Sequence, residues 1–170
     1  IGVIWSFLPL FADTTFNLPG SMIGFLATLG VFVSGIFNLP MGWVADRINK
    51  GGLTVLGGVL SALGMVLLFR AATFMDLVVG VSVFGLGGGI AMPAIMGSAV
   101  LKGEKKKAMG AVMAIMTVAH SLGMMTGSMA AGVAVDFLSL RVSFLCGGIM
   151  MAVAALFFTA IACRRYVVKK

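Results

Sequence analysis

Five long stretches without a charged residue dominate the sequence. They cover residues 14–45, 51–69, 77–101, 108–135 and 142–163. A helix rises about 1.5 Å per residue, so roughly 20 apolar residues cross a hydrocarbon core of about 30 Å. Because 61% of the residues are hydrophobic and only 10% are charged, we predict an all-α integral membrane protein whose helices span the lipid bilayer.

The first eleven residues are also apolar, but they are too few to cross a bilayer. They carry neither an initiator methionine nor the basic flank of a signal peptide, so we interpret them as the end of a truncated span. A single domain of six helices over residues 1–170 follows. The helices are predicted at about 1–12, 22–45, 53–70, 74–101, 108–135 and 142–163, before a cytoplasmic tail at 164–170.

The basic residues predict the orientation of these helices. If the helices alternate in direction, ten of the twelve basic residues lie on one side, in two turns and the tail. Short basic loops face the cytoplasm, so we expect that side and the C-terminus to be cytoplasmic, in a bacterial inner membrane. The net charge of +7 is thereby explained by topology, and we predict no nucleic-acid partner.

The glycine-rich run GLGGGIAMP, residues 85–93, is not a dinucleotide-binding motif. Ile90 stands where the last glycine of G-x-G-x-x-G belongs, and no strand precedes the run. We interpret the glycines as a thin, deformable stretch of the fourth helix, with a kink at Pro93.

Small residues also follow a helical spacing in the fifth helix. Gly123, Gly127 and Ala131 recur at every fourth position, and Gly132 follows directly. Residues with this spacing share one face of a helix, where small side chains allow two backbones to approach. The pattern predicts a close helix-packing face.

His120 is the only histidine and lies near the middle of the fifth helix. An ionisable side chain at that depth usually faces the bundle interior or a wet cavity. Two interpretations stay open: a proton relay or substrate contact, since imidazole titrates near physiological pH, and a neutral histidine hydrogen-bonded to another helix.

Groups that perform catalysis or hold a metal are missing from the sequence pattern. We find no nucleophile–base pair, no histidine and cysteine set at metal-ligand spacing and no paired carboxylates. The sequence therefore predicts that the protein is not an enzyme and uses neither a metal nor a cofactor.

Two short patterns suggest an internal repeat. Gly42-x-x-x-Asp46 ends the second predicted helix, and Gly132-x-x-x-Asp136 ends the fifth, three helices later. Two three-helix units related in this way run in opposite directions through the membrane, as in many secondary transporters. We expect two inverted three-helix repeats.

The segment GWVADRINKGG, residues 42–52, resembles the signature cytoplasmic loop of the major facilitator superfamily, roughly G-x-x-x-D-[RK]-x-G-[RK]-[RK]. Asn49 replaces the usual glycine, and Gly51 replaces the last basic residue. The positions that match are Gly42, Asp46, Arg47 and Lys50. Read with the helix pattern, the resemblance covers the whole chain.

The resemblance implies half of a twelve-helix transporter fold. Val81 stands where the N-terminal half of the family often has an arginine, and Ser128 stands where drug antiporters often have a proline. Both departures favour the C-terminal half, helices seven to twelve. The partner is then the missing six-helix half of the same chain or a second copy.

The function implied by the resemblance is secondary active transport of a small organic solute by alternating access, with the proton as a candidate coupling ion. Asp46 is expected to latch to the missing half, with Arg47 and Lys50 in the same charge network. The first and fourth helices would line the cavity, and the candidate wall residues are Trp5, Phe7, Phe84, Met92 and Met96. The alternative is a non-transporting six-helix membrane scaffold or assembly subunit.

Overall fold

A computed structural model describes residues 2–137 and 139–167, with side chains described up to residue 159. In these residues the chain forms six α-helices and no strand. The helices are α1 (Gly2–Phe16), α2 (Gly20–Arg47), α3 (Lys50–Arg70), α4 (Phe74–Lys105), α5 (Met109–Phe137) and α6 (Leu140–Val167).

Five of these helices are long and apolar enough to cross a membrane. They are α2, α3, α4, α5 and, within α6, Leu140–Thr159. The remaining helix, α1, has 15 residues, fewer than the roughly 20 that a span requires.

The helices extend beyond several of their predicted ends. The turn between α2 and α3 contains only Ile48 and Asn49, because the charged residues on either side of it lie in the terminal helical turns. α4 continues past its predicted end at 101 to Lys105, and α6 continues past 163 to Val167. Arginine and lysine are good helix formers and do not end a helix. The predicted tail at 164–170 is therefore helical through 167, and residues 168–170 lie outside the described residues.

α4 lies between α2 and α3, and its glycines permit both contacts. A Cβ atom on Gly85 would lie 2.6 Å from the carbonyl oxygen of Gly30 in α2, whereas one on Gly87 would lie 2.5 Å from the amide nitrogen of Ser61 in α3. Real Cβ atoms do not approach backbone atoms so closely, so these positions require glycine. The helix continues through Pro93.

α5 is packed much less closely than α4. Among its described residues only Ala131 is buried. No atom lies within 4 Å of a Cβ built on Gly123 or Gly127, so the close packing predicted for these two residues is not seen among the described helices. The contact with α1 lies beside this face instead, where Gly2 abuts the carbonyl of Met124.

The C-terminal part of the predicted packing face, Ala131 and Gly132, lies against α6 and α1. Ser6 and Ser128 share a hydrogen bond of 2.9 Å between their hydroxyl oxygens. A Cβ on Gly132 would lie 3.8 Å from Cζ of Phe7. Ala131 and Gly132 therefore pack within this chain, whereas Gly123 and Gly127 have no neighbouring atom within 4 Å of their Cβ positions.

Two apolar clusters form the core. The larger one joins all six helices around Phe11 and Phe144, whose ring centres are 5.2 Å apart. The smaller one contains Ala45, Leu53, Ile90 and Ala94, near the turn between α2 and α3. Together these clusters pack the N-terminal half and the middle of α4 against its neighbours.

Candidate functional site

The turn between α2 and α3 is held by the side chain of Lys50. Its ammonium group donates a hydrogen bond of 2.7 Å to the carbonyl of Ala45 and lies 3.5 Å from Oδ1 of Asp46. The last carbonyls of a helix lack partners within the helix and carry partial negative charge. Lys50, the first residue of α3, therefore stabilises the C-terminal end of α2.

Asn49 caps the beginning of α3. Its side-chain oxygen accepts a hydrogen bond of 3.0 Å from the backbone N–H of Gly51. Asparagine is one of the strongest N-capping residues because its oxygen satisfies an N–H group that has no partner within the helix. The residue that departs from the family motif thus has a structural role of its own.

Gly97 in α4 makes room for the stem of Lys50, and sequence reasoning missed it. A Cβ atom on Gly97 would lie 2.9 Å from Cε of Lys50. The only available signal was a glycine inside a helix, which has a packing role in many proteins. Gly97 therefore positions Lys50 from a third helix.

The other motif residues face away from the described helices. The side chain of Asp46 is 78% exposed, and Arg47 is exposed with its guanidinium carbon 3.9 Å from the centre of the Trp43 ring. Gly42 has no atom within 4 Å of its Cβ position. The C-terminal end of a helix repels a carboxylate, and Lys50 is the only described cation close to Asp46. Asp46 is therefore accessible to a partner outside these helices.

A cavity of about 590 Å³ lies inside the bundle, and all six helices contribute to its wall. Three of the predicted wall residues, Trp5, Phe84 and Met92, line it. Phe7 does not line it and packs against the larger apolar cluster. Met96 does not line it either, and its side chain is exposed.

His120 lies between this cavity and a second one of about 380 Å³. The second cavity is bounded on one side by the open face of α5, at Gly123 and Gly127. His120 is exposed and makes no hydrogen bond to another residue of the described part of the chain. Within these helices, the imidazole is therefore accessible to whatever enters either cavity.

The larger cavity carries few polar groups. Thr54 donates its hydroxyl to the carbonyl of Lys50 at 2.9 Å, and Ser61 is buried against α4. Ser34 and Asn38 lie one turn apart on α2, are partly exposed and line the cavity. Their hydrogen-bonding groups have no partner among the described residues.

Histidine, cysteine and carboxylate side chains do not cluster in the described residues. In residues 2–137 and 139–159, no three of them lie close enough together to hold a metal ion.

Comparison with known proteins gives one family. A sequence model described as Major Facilitator Superfamily matches residues 1–169. An uncharacterized MFS-type transporter of Methanocaldococcus jannaschii is 24% identical over 137 residues, which are 81% of this chain and 35% of that protein. The chain thus spans about a third of the length of this relative. No solved structure matches the sequence.

Proposed function

The chain belongs to the major facilitator superfamily, and from this premise we propose that it is one half of a secondary active transporter for a small organic solute. The observation that carries the proposal is the 590 Å³ cavity with walls from all six helices. Ligand cavities have volumes of about 300–1,000 Å³, so this one has the capacity for such a solute. A scaffold requires no cavity of this kind.

The helix contacts support an inverted repeat of α1–α3 and α4–α6. Such a repeat pairs α1 with α4, α2 with α5 and α3 with α6. If the two units are equivalent, a contact between α2 and α4 must have a counterpart between α5 and α1. A contact between α3 and α4 must likewise have a counterpart between α6 and α1. All four contacts are present. The two contacts made by α1 are less extensive than their counterparts made by α4, so the repeat is approximate.

Alternating access moves one half against the other around a central site. The exposed carboxylate of Asp46 at the end of α2 supports a role for this residue in the movement. We propose that it binds a group on the other half in one conformation and releases it in the other. Arg47, exposed beside it, contributes to the same network, whereas Lys50 fixes the turn.

Charge distribution supports a cytoplasmic location for this turn. Lys50 and Arg47 share their end of the bundle with the C-terminal end of α4, where four further lysines lie at Lys102, Lys105, Lys106 and Lys107. By the positive-inside rule, this end and the C-terminus lie on the cytoplasmic side of a cell membrane. The departures at Val81 and Ser128 favour the C-terminal half of the fold.

His120 supports coupling of transport to protons. It is accessible from both cavities, and imidazole changes charge in the physiological pH range. A protonation step at this position would alter the charge of an otherwise uncharged cavity wall.

Solute counterflow into liposomes tests the proposal. The full-length protein that carries this chain is reconstituted, loaded with unlabelled solutes and supplied with labelled ones from a chemically diverse panel. A transporter produces a transient accumulation of at least one labelled solute above the level in protein-free liposomes. Equal levels for the whole panel, with the protein correctly inserted, would favour the scaffold.

A further inference from the structure

The wall of the 590 Å³ cavity carries none of the charged groups that hold ionic solutes. No aspartate, glutamate, lysine or arginine of the described chain lines it. Its titratable member is His120, and the rest are aliphatic, aromatic, small or neutral polar side chains. Burying an ion without an opposite charge is costly, so such a wall disfavours a permanently charged solute.

Two of the few hydrogen-bonding side chains of the wall lie together on α2, and the others, which are Trp5, Thr54, Ser61 and His120, come from α1, α3 and α5. Ser34 and Asn38 form a short polar strip on α2, one turn apart. Both lack a partner among the described residues. Most of the remaining wall is apolar, with Phe84, Met92 and Phe158 among its larger members. A ligand that fits this wall is apolar over most of its surface and has a hydrogen-bonding group at one end.

We propose that the cavity binds a neutral, largely apolar organic molecule, with its single polar end at Ser34 and Asn38. This rests on the proposed function, because it names the substrate class of the same cavity. The amide of Asn38 offers both a donor and an acceptor, so a hydroxyl, carbonyl or amide on the ligand finds a partner there. The cavity volume matches a molecule of drug-like size.

Two dyes that differ in one charged group test this class directly. N-phenyl-1-naphthylamine is neutral, and 8-anilino-1-naphthalenesulfonate has the same rings with a sulfonate. Each is titrated into the full-length protein in nanodiscs, and the fluorescence of empty nanodiscs is subtracted. We expect saturable binding of the neutral dye, at least tenfold tighter than that of the sulfonate. Binding of the sulfonate with equal or greater affinity overturns the proposal.

Gly88→Leu locates the binding in the cavity. A Cβ atom at Gly88 meets only Oγ of Ser34, at 3.6 Å, so a leucine there extends into the free volume. We expect the neutral dye to lose at least tenfold in affinity. The matched control is Gly24→Leu on α2, where no atom lies within 4 Å of the Cβ position and the cavity is not reached; its affinity should stay unchanged. Unchanged binding in Gly88→Leu contradicts the assignment.

Asn38→Leu keeps the test decisive if Gly88→Leu fails to insert. It preserves the approximate size of the side chain and removes its hydrogen bonds, so a ligand with a polar end should bind about threefold to tenfold more weakly. The probe is 1-naphthol, whose hydroxyl group lies at one edge of its apolar rings, and an equal affinity in the variant contradicts the role of Asn38.

Counterflow separates a failure of this inference from a failure of the proposed function. Transport of a charged solute by a protein that does not bind the neutral dye overturns the inference and leaves the transporter intact. Binding of the neutral dye by a protein that transports nothing overturns the transporter and leaves the ligand class of the cavity standing.

Discussion

The ammonium group of Lys50 lies 3.5 Å from the carboxylate of Asp46, yet the Asp46 side chain remains 78% exposed. The Lys50 side chain is only 17% exposed, but because the carboxylate is in water the pair contributes about 1 kcal/mol or less and leaves the carboxylate available. Lys50 is fixed mainly by its shorter contact with the carbonyl of Ala45, and not by Asp46. Asp46 is thus the motif residue whose carboxylate is available for the contact that we propose with the other half.

Asp46→Asn is therefore expected to weaken transport without preventing insertion. Loss of one charged contact of about 1 kcal/mol shifts a two-state equilibrium about fivefold, and the inward and outward populations change accordingly. The measurement is the initial rate of solute uptake, normalised to the amount of inserted protein. Asp13→Asn, at an exposed carboxylate near the opposite end of the bundle, is the matched control. Uptake equal to that of the unaltered protein would refute the latch.

Asn49 is expected to tolerate glycine better than alanine. Its side chain caps α3 through Gly51, and loss of a cap to alanine costs about 1 kcal/mol, whereas glycine costs only a few tenths. The midpoint temperature of thermal unfolding in detergent should fall clearly for Asn49→Ala and only slightly for Asn49→Gly. Equal losses in the two variants would show that the cap is not what stabilises the turn.

The glycines of α4 and α5 should respond in opposite ways to alanine. Gly87→Ala places a Cβ 2.5 Å from the backbone nitrogen of Ser61, and overpacking of this kind costs about 1–3 kcal/mol. Gly123→Ala meets no atom within 4 Å. The midpoint temperature of thermal unfolding in detergent should therefore fall for Gly87→Ala and not for Gly123→Ala. A similar fall in both would contradict the open surroundings of Gly123.

His120→Gln tests the coupling role of the imidazole. Glutamine preserves hydrogen bonding but does not titrate near neutral pH, so the pH dependence of uptake should flatten if His120 carries the proton. Uptake is measured at a series of pH values across the physiological range, in which an imidazole can change charge. A pH profile identical to that of the unaltered protein would return His120 to a structural role.

Hydropathy and charge were sufficient to predict six helices, because a span requires a long apolar stretch whatever its neighbours are. They were insufficient to predict which glycines pack. Gly87 and Gly123 look alike in sequence, yet one contacts α3 and the other faces open space, since the difference depends on the three-dimensional arrangement of the helices.

The turn between α2 and α3 shows the same limit at the candidate site. The motif spacing predicted one functional group of four residues, namely Gly42, Asp46, Arg47 and Lys50. The structure divides them, with Lys50 turned inward against Gly97 and Asp46 outward. The inward contact comes from α4, far away in sequence, and no local pattern specifies it.

Alternating access at the cavity is tested most directly by labelling a cysteine at position 88. Gly88→Cys is made in the full-length protein with its other cysteines replaced, and a membrane-impermeant maleimide is applied to right-side-out and inside-out vesicles. The account predicts labelling from both sides, in a ratio that Asp46→Asn changes. Labelling from one side alone with and without Asp46→Asn, or from neither side, would contradict it.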